Sequence, residues 1–254
     1  MVIVMRKIVV ICLLFLTSCT SQDAVTVSKQ VSWGIGKEKT EAGQPLDCVK
    51  ANEEFKDYNT IFVGNSNEKK IYLTFDNGYE NGNTEIILDV MKEKDVHAVF
   101  FVTSHYAANQ DKLIKRMIEE GHIIGNHSYT HKSFSSMSKE NVQSDVLKLH
   151  SLMIDKYNYV MDLVRPPEGE FSIESLEATS SLNYQCVMWS FAYYDYDVNN
   201  QMEEDKALDK LKAGLHPGAI YLLHAVSETN AKVLGDFIDY ARSEGYTISD
   251  YDLY

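Results

Sequence analysis

The stretch from Tyr72 to Gly82, YLTFDNGYENG, reads as an apolar strand that stops at a carboxylate, an amide and a glycine. Adjacent acids at such a strand end would suggest a metal-assisted hydrolase, in which one carboxylate binds the ion and the other handles protons. Here Asp76 is followed by the amide Asn77. The sequence therefore leaves two alternatives, a working metal site with a neutral ligand or a site that has lost its metal.

A second group with suitable spacing is the pair His127 and His131 in GNHSYTH. Residues four apart on one helical turn project to the same side, so both imidazoles could reach one ion. An isolated pair of this kind is often only a polar helix face, but a strand-end Asp-Asn elsewhere in the chain strengthens the metal interpretation. Two imidazoles and one oxygen leave open positions for water and substrate, which a catalytic site needs.

Two further residues could act with these groups. Arg165 enters the dipeptide Pro166-Pro167, which fixes the backbone and can hold a guanidinium against a carboxylate. The alternative is a structural salt bridge elsewhere. His224 closes the apolar run IYLLH, where a histidine that only satisfies a backbone group is the alternative to a catalytic one. Both interpretations depend on which residues the fold brings together.

The elements that must position these residues are short apolar runs that alternate with amphipathic helical patterns. Strands are predicted at 71–75, 97–102, 122–125, 162–164, 185–189, 219–223 and 247–249. Helices are predicted at 83–94, 111–121, 138–157, 172–182, 203–214 and 228–245, with Gly121, Gly214 and Gly245 as C-terminal caps. This alternation implies parallel strands with right-handed crossovers, hence a barrel or an open doubly wound sheet.

The polar residues capable of chemistry follow the ends of these strands. They are Asp76, Asn77, Ser104, His105, His127, His131, Arg165, Asp195 and His224. In a parallel barrel the carboxyl ends of the strands converge on one face, so residues distant in sequence can share a pocket. The pattern therefore predicts one site assembled from several strands.

Length and composition fit one domain without a nucleic-acid partner. The 254 residues are 44% hydrophobic and can bury one sizeable core. The net charge of -13 and the absence of a basic run argue against nucleic-acid binding, which needs clustered Lys and Arg. Cys48 and Cys186 could pair in an exported protein, although Cys186 lies in the apolar stretch QCVMW and is expected in the core.

The N-terminus has the layout of a secretory signal. Arg6-Lys7 precedes an apolar run over 8–16, which is too short to favour a membrane-spanning helix. The following residues resemble a bacterial lipobox, in which Cys19 would become the lipid-modified first residue; an ordinary cleaved signal is the alternative. We therefore expect export and a lipid anchor on the outer face of the bacterial cell membrane. The predicted segments are a signal over 1–19, a tether and irregular segment over 20–69, and a main domain over 70–254.

Five motifs in order, TFDNG, HSYTH, RPPEG, YYDYD and LLH, resemble those of the polysaccharide deacetylases, carbohydrate esterase family 4, over residues 70–254. The stretches RPPEGEFS, MWSFAYYDYDVN and HPGAIYLLHAVSETNA are most similar to the delta-lactam-biosynthetic de-N-acetylases, in which Asn at the second acid position is the usual form. Those enzymes remove acetyl groups from N-acetylmuramic acid in spore-cortex peptidoglycan. The expected fold is a distorted (β/α)7 barrel of parallel strands with an irregular N-terminal extension.

The resemblance implies a metal site and a base. Asn77, His127 and His131 would bind a divalent metal, with zinc as the first candidate and cobalt, manganese and magnesium as alternatives. Asp76 would be the general base that takes a proton from the attacking water, and Arg165 would orient it. We expect these roles in a monomer that acts on the glycan strands of peptidoglycan.

The resemblance also implies an acid and a substrate-binding surface. His224 would protonate the departing amine, and Asp195 would tune it. The residues expected to line the substrate are Leu223, Tyr196, Pro166 and Glu168, with Leu223 at the slot for the acetyl methyl group. Tyr196 stands where many relatives have Trp, and Glu168 places an acid beside the glycan, which leaves the glycan preference open.

Three functions follow as alternatives. The first is removal of N-acetyl groups from muramic acid for delta-lactam formation in sporulation. The second is deacetylation of N-acetylglucosamine in peptidoglycan or in another amino-sugar polymer. The third is a lipoprotein that binds glycan without turnover, which has Asn77 as its support in the sequence. A pure binding protein has no need of an acid and base pair, which favours the first two.

Overall fold

The computed structural model describes residues 30–249 and residue 251. The strands in chain order are β1 (Gln30–Ser32), β2 (Thr60–Ile61), β3 (Lys70–Asn77), β4 (Val99–Val102), β5 (Ile123–Asn126), β6 (Leu163–Val164), β7 (Glu170–Ser172), β8 (Gln185–Val187), β9 (Phe191–Ala192), β10 (Ala219–His224) and β11 (Thr247–Ile248). The α-helices are α1 (Leu46–Glu54), α2 (Thr84–Lys94), α3 (Ser104–Asn109), α4 (Asp111–Glu119), α5 (Lys139–Tyr157), α6 (Ile173–Ser180), α7 (Glu204–Ala213) and α8 (Glu228–Ser243). Short 3-10 helices cover Lys56–Tyr58, Phe134–Ser136 and Pro167–Gly169.

One sheet of parallel strands forms the centre of the fold. Its hydrogen-bonded order is β2-β8-β6-β5-β4-β3-β10-β9, and β11 also pairs with β3. In β3, the consecutive residues Ile71, Tyr72 and Leu73 are all buried. Because successive side chains point to opposite faces, both faces of this strand are covered. Such strands read as continuous apolar runs, which is why the sequence locates them well.

The chain segment between β8 and β9 joins the two edges of the sheet. The amide of Met188 donates to the carbonyl oxygen of Ile61 at 2.8 Å, next to β2. Two residues later, the amide of Ser190 donates to the carbonyl oxygen of Ile220 in β10 at 3.0 Å. These bonds connect the edge strands, and the predicted distorted barrel of parallel strands is confirmed.

Two glycines allow close approaches within the barrel. The amide of Gly64 donates to the carbonyl oxygen of Gly218 at 2.8 Å. Gly218 has φ 72°, and a Cβ there would lie 2.4 Å from the carbonyl carbon of Gly64. Gly214 is the C-cap of α7, as predicted, with a right-handed backbone of φ -80°. A Cβ at Gly214 would lie 2.1 Å from Cδ2 of Phe191, so this glycine serves packing against β9.

The predicted elements of the main domain are all present. The seven predicted strands correspond to β3, β4, β5, β6, β8, β10 and β11, and the predicted helices to α2, α4, α5, α6, α7 and α8. The structure adds α3, a helix of 6 residues that is too short to show an apolar period. It also adds the strand pair β1 and β7, which is antiparallel.

The segment before β3 packs on the barrel through aromatic side chains. The rings of Trp33 and Phe62 lie 4.4 Å apart, and Phe55 contacts Phe171 edge-on at 5.3 Å. The indole nitrogen of Trp33 donates to the carbonyl oxygen of Trp189 at 3.0 Å. This segment also contains helix α1, which its weak periodicity did not indicate.

The two cysteines of the described chain are buried and free. Burial raises the pKa of Cys48 and of Cys186 to about 12 in each case. The two therefore do not form the disulfide left open above, and the prediction that Cys186 lies in the core is confirmed.

The predicted signal over residues 1–19, with Cys19, lies outside the described residues. Within residues 30–249, no helix combines the length and the apolar character that crossing a bilayer requires. The expectation of export with a lipid anchor therefore stays a prediction from the sequence.

Candidate active site

The ends of β3 and β10 form the centre of the candidate site. Asp76 and Asn77 are the last two residues of β3, and His224 is the last residue of β10. In the register of this strand pair His224 lies directly beside Asp76. The carboxyl ends of neighbouring strands thus bring together a carboxylate, an amide and an imidazole that are far apart in sequence.

Arg165 follows β6 and contacts Asp76 from within the protein. Its Nη1 donates to Oδ1 of Asp76 at 2.8 Å. Its Nε and Nη2 donate to the carbonyl oxygens of Val187 and Met188 at 2.8 and 3.1 Å. The guanidinium is fully buried and lies 4.2 Å above the ring of Phe101. Every part of the guanidinium fork is therefore fixed, and one oxygen of Asp76 is fixed with it.

The carboxyl of Asp76 is buried but ionised. Burial alone would raise its pKa, since it disfavours the charged form. The charge of Arg165, and then the imidazoles of His127 and His224, outweigh burial and hold the pKa of Asp76 below its usual value. Asp76 is therefore a carboxylate at neutral pH, the state that a general base requires.

His127 and His131 lie on the loop after β5, so the predicted helical turn is wrong. Ser128 and His131 have positive φ values, 70° and 53°, which turn the loop back on itself. The turn still brings the two rings together, with centroids 5.0 Å apart. The proximity of the two imidazoles was thus predicted correctly, whereas the helical backbone conformation predicted for them was wrong.

The tautomer of His127 follows from its hydrogen bonds. Its Nδ1 lies 2.9 Å from the carbonyl oxygen of Arg165, which can only accept, so Nδ1 carries the proton. Burial lowers the pKa of His127 to about 4, so the ring is neutral at pH 7. The lone pair on Nε2 then faces the site, 3.5 Å from Oδ2 of Asp76. This is the form in which an imidazole binds a metal ion.

The histidine loop is held by a carboxylate on α5. Asp145 is buried and accepts from the amides of Tyr129 and Thr130 at 2.6 and 3.1 Å, and from the hydroxyl of Thr130 at 2.6 Å. The hydroxyl of Ser128 accepts from the amide of His131 at 2.7 Å. The positions of both imidazoles therefore depend on hydrogen bonds that reach the loop from a distant helix.

Asn77 is the third residue of the predicted metal set. Its Oδ1 and Nδ2 are buried, and neither has a hydrogen-bond partner in the described part of the chain. An unpaired buried polar group costs about 1–3 kcal/mol, which a bound ligand would offset. The amide oxygen of Asn77 and the imidazoles of His127 and His131 are donors that a divalent cation accepts, so these residues fit the implied metal.

The fit depends on the amide. Within residues 30–249 and 251, no three His, Cys, Asp or Glu side chains are grouped to hold a metal ion. Asn77 contributes no negative charge, unlike the aspartate for which it stands. A cation held by this set would keep more of its own positive charge than one bound by a carboxylate.

His224 and Asp195 form the second charged pair of the site. Nδ1 of His224 donates to Oδ1 of Asp195 at 2.7 Å, and the backbone amide of His224 donates to Oδ2 at 2.9 Å. Burial would lower the pKa of His224, but the carboxylates of Asp195 and then Asp76 outweigh it and raise this pKa above its usual value. The protonated imidazole, which a general acid requires, is thereby favoured.

The four residues expected to line the substrate occupy different depths. Tyr196 is 52% exposed, and its ring meets that of His224 edge-on at 5.5 Å. Glu168 is exposed on the loop after Arg165, with the unusual φ of 59°. Pro166 is buried, and Leu223 has no exposed surface, so the structure does not place Leu223 at an open slot. The roles of all these residues stay predictions.

Sequence reasoning missed two buried polar residues that support the site, Asp145 and Asn230. Asp145 lies on the apolar side of α5 between the buried residues Val142 and Val146, and an acid in such a stripe is a usable signal. Asn230 is buried in the first turn of α8 and donates to Oδ2 of Asp195 at 2.6 Å. Its position resembles an ordinary helix start, so the sequence carries no comparable signal for it.

Comparison with known proteins places the chain among enzymes that act on glycans. The polysaccharide deacetylase family matches residues 63–187. The chain is 41% identical over 234 residues to the peptidoglycan-N-acetylmuramic acid deacetylase PdaA of Bacillus subtilis (strain 168), covering 91% of this chain and 88% of that protein. It is 32% identical over 178 residues to the peptidoglycan-N-acetylglucosamine deacetylase PgdA of Listeria monocytogenes serotype 1/2a (strain 10403S), covering 70% of this chain and 37% of that protein.

Comparison with solved structures points to the same family of enzymes. The solved structure of Bacillus subtilis PdaA, described as a family 4 carbohydrate esterase, matches with a TM-score of 0.82 and 40% identity, covering 87% of this chain and 94% of that one. This chain therefore belongs to the polysaccharide deacetylase family, carbohydrate esterase family 4.

Proposed function

We propose that this chain is a divalent-metal-dependent de-N-acetylase that acts on N-acetylmuramic acid in peptidoglycan. The observation that carries the chemistry is a pair of charged contacts on neighbouring strands, Arg165 with Asp76 and Asp195 with His224. Hydrolysis of an amide needs a base for water and an acid for a poor leaving group. The identity of 41% to a muramic acid deacetylase supports the choice of substrate.

The chain's own residues perform the proton transfers. Asp76 accepts a proton from the attacking water through Oδ2, because Oδ1 is bound to Arg165. As the oxygen–carbon bond forms and the carbon–nitrogen bond breaks, His224 donates its Nε2 proton to the leaving nitrogen. The products are acetate and a glycan with a free amine.

The metal would be held by Asn77, His127 and His131, with zinc as the first candidate and cobalt, manganese and magnesium as alternatives. When bound, a divalent cation supplies a Lewis acid toward water and the acetamide carbonyl. The support for this assignment is the unpaired buried amide of Asn77 together with Nε2 of His127, which faces the site beside Asp76.

The setting we propose is the outer face of the bacterial cell membrane, where a monomer anchored at Cys19 would deacetylate glycan strands. The support is the signal-like N-terminus and its lipobox. Formation of muramic delta-lactam in spore cortex is the process we propose for the product, on the basis of the motifs shared with the delta-lactam-biosynthetic enzymes.

Deacetylation of N-acetylglucosamine is the second candidate. It is favoured by the exposed carboxylate of Glu168, which the family resemblance places beside the glycan, because muramic acid carries a carboxylate of its own and would be repelled. The identity of 32% to a peptidoglycan-N-acetylglucosamine deacetylase is consistent with it.

Acetate release from defined muramic and glucosamine oligomers, with several metals added in turn, tests the proposal. We expect release from the muramic oligomer, identified by mass spectrometry of the product, and its loss in Asp76→Ala and His127→Ala. The matched control is His150→Ala, which changes a histidine on α5 that bonds to Tyr184 and should retain activity. Release from the glucosamine oligomer alone would favour the second candidate. Binding of glycan without any release would contradict both.

A further inference from the structure

Asp195 accepts hydrogen bonds on both carboxylate oxygens. Its Oδ1 accepts from Nδ1 of His224 at 2.7 Å. Its Oδ2 accepts from the backbone amide of His224 at 2.9 Å and from Nδ2 of Asn230 at 2.6 Å. Asn230 is 2% exposed, so it cannot reach a substrate. Among the described residues, it can act on the reaction through its contacts with Asp195 and with the backbone carbonyl of His224.

The amide of Asn230 has one possible orientation. The hydroxyl of Tyr193 donates to its Oδ1, and the carboxylate of Asp195 can only accept, so Nδ2 must face Asp195. Nδ2 also lies 3.3 Å from the carbonyl oxygen of His224. Burial raises the pKa of Tyr193, so its hydroxyl stays protonated at neutral pH. Both Oδ1 and Nδ2 of Asn230 are therefore engaged in hydrogen bonds within the protein.

The backbone of Asn230 is fixed as well. Ser227 is the N-cap of α8, and its hydroxyl accepts from the amide of Asn230 at 3.0 Å. The same hydroxyl donates to Oε1 of Gln201 at 2.6 Å, and Nε2 of Gln201 donates to the carbonyl oxygen of Asp195 at 3.0 Å. The start of α8 and the loop that carries Asp195 therefore form one connected hydrogen-bond network.

We propose that Asn230 is a positioning residue for the general acid, holding the Asp195 carboxylate so that Nε2 of His224 points at the leaving nitrogen. This inference rests on the proposed function. Without Asn230, the Asp195 carboxylate keeps its two bonds from His224 but loses its hydrogen bond to α8, so the orientation of the Asp195–His224 pair is less restrained. The imidazole then loses its fixed direction. The step that suffers is proton donation as the carbon–nitrogen bond breaks, whereas activation of water by Asp76 is untouched.

The test compares two substrates that differ in their need for an acid. An N-acetylated sugar leaves as an amine and must be protonated, whereas a nitrophenyl acetate releases a stable nitrophenolate without help. For Asn230→Ala we expect kcat on the amide to fall about tenfold or more while kcat on the aryl ester changes by less than about threefold. Tyr193→Phe, which frees Oδ1 of Asn230, should show the same selectivity to a smaller degree.

The matched control is Asn52→Ala. Both amide atoms of Asn52 on α1 are likewise hydrogen-bonded, in this case to backbone groups: Asn52 donates to the carbonyl oxygen of Val63 at 2.6 Å and accepts from the amide of Phe62 at 2.7 Å. Its loss removes a comparable pair of hydrogen bonds without touching Asp195. We expect any change in rate to be equal on the two substrates. An equal loss on both substrates in Asn230→Ala, or no loss on the amide, overturns the proposal.

A second measurement is independent of turnover. In protein with 15N-labelled histidine, the Nδ1 proton of His224 should exchange with water at least several-fold faster in Asn230→Ala than in wild type and in Asn52→Ala. An unchanged exchange rate overturns the proposal. If wild type cleaves the aryl ester but releases no acetate from glycan, the proposed function fails, and the exchange measurement still decides whether Asn230 holds the pair.

Discussion

Nη1 of Arg165 donates to Oδ1 of Asp76 at 2.8 Å, and the guanidinium is held from behind by two peptide carbonyls. The contact leaves Oδ2 of Asp76 facing the imidazole of His127. One oxygen of the carboxylate is thus structural and the other is available for chemistry. Because neither residue is free to turn, Asp76, the proposed base, is set in place before substrate arrives.

Removing this guanidinium should have a pH-dependent cost. The folded pKa of Asp76 is lowered, so its contribution to stability is present above the unfolded pKa of about 3.9 and is lost as pH falls through the folded pKa. We expect Arg165→Gln to destabilise the protein by about 3–5 kcal/mol at pH 7, because a buried carboxylate is left unpaired. Urea unfolding at pH 7 and pH 4 should show a smaller loss at pH 4, because without Arg165 burial raises the pKa of Asp76 and the carboxyl becomes neutral at the lower pH.

Arg165→Gln should also shift the acidic limb of the pH profile of kcat/KM to higher pH. Without Arg165 the pKa of Asp76 rises, so the base becomes protonated at higher pH and kcat/KM falls earlier on acidification. The control is Arg116→Gln, which breaks a half-exposed ion pair with Asp89 and should leave the limb unchanged. An unaltered limb in Arg165→Gln would exclude Asp76 as the titrating base.

Asn77→Asp should tighten metal binding. A carboxylate adds a negative charge to a set that now has none from this residue, and we expect affinity to rise about tenfold, or about 1.4 kcal/mol. Calorimetric titration of metal into apo protein measures this directly. Asn81→Asp places the same charge four residues further on, where the side chain is exposed, and controls for a long-range effect. Equal affinities in wild type and Asn77→Asp would remove Asn77 from the ligand set.

Asp145→Ala should weaken metal binding without altering a ligand. The loop of His127 and His131 would lose the carboxylate that accepts from Tyr129 and Thr130, and we expect affinity to fall about 10- to 100-fold. Asp155→Ala is the control, since Asp155 is exposed near the end of the same helix. If calorimetry gave wild-type affinity for Asp145→Ala, the loop would have to be held by its own residues.

Glu168→Gln should shift substrate preference toward muramic acid. We expect the exposed carboxylate of Glu168 to repel the carboxylate of muramic acid, and exposed charges of this kind act by up to about 1 kcal/mol, or about fivefold in kcat/KM. The gain should shrink at high salt, because salt screens the repulsion. Glu170→Gln changes the next acid along the chain and is the control. A ratio of muramic to glucosamine activity that does not move would place Glu168 away from the sugar.

The strands and most helices could be predicted because the continuous apolar run of a buried strand and the apolar stripe of a helix are both local sequence patterns. A parallel strand such as β3 is covered on both faces and is apolar throughout, and α4 and α8 carry clear apolar stripes. The order of polar residues at the strand ends then identified the site. Secondary structure, and the position of a polar residue at the end of a strand, can thus be predicted from short sequence patterns.

Apart from Asp145, whose place on the apolar side of α5 is a signal in the sequence, the supports of the site could not be predicted, because they depend on contacts between distant segments. The histidine pair has helical spacing, yet Asp145, fourteen positions from His131, holds it in a loop. Arg165 is fixed by the carbonyls of Val187 and Met188, and a peptide carbonyl has no side-chain signature. Asn230 resembles any polar residue in the first turn of a helix.

The peptide segment that closes the barrel also holds Arg165, which in turn fixes Asp76, the proposed base. Val187 and Met188, whose carbonyls bind Arg165, begin the short crossing from β8 to β9, and the amides of Met188 and Ser190 make its only described backbone bonds to Ile61 and Ile220. Slackening of this crossing would release the guanidinium while the central strands stay paired. We therefore expect mild urea to inactivate the enzyme before it unfolds it, with amide exchange at Met188 and Ser190 rising in step with the loss of rate.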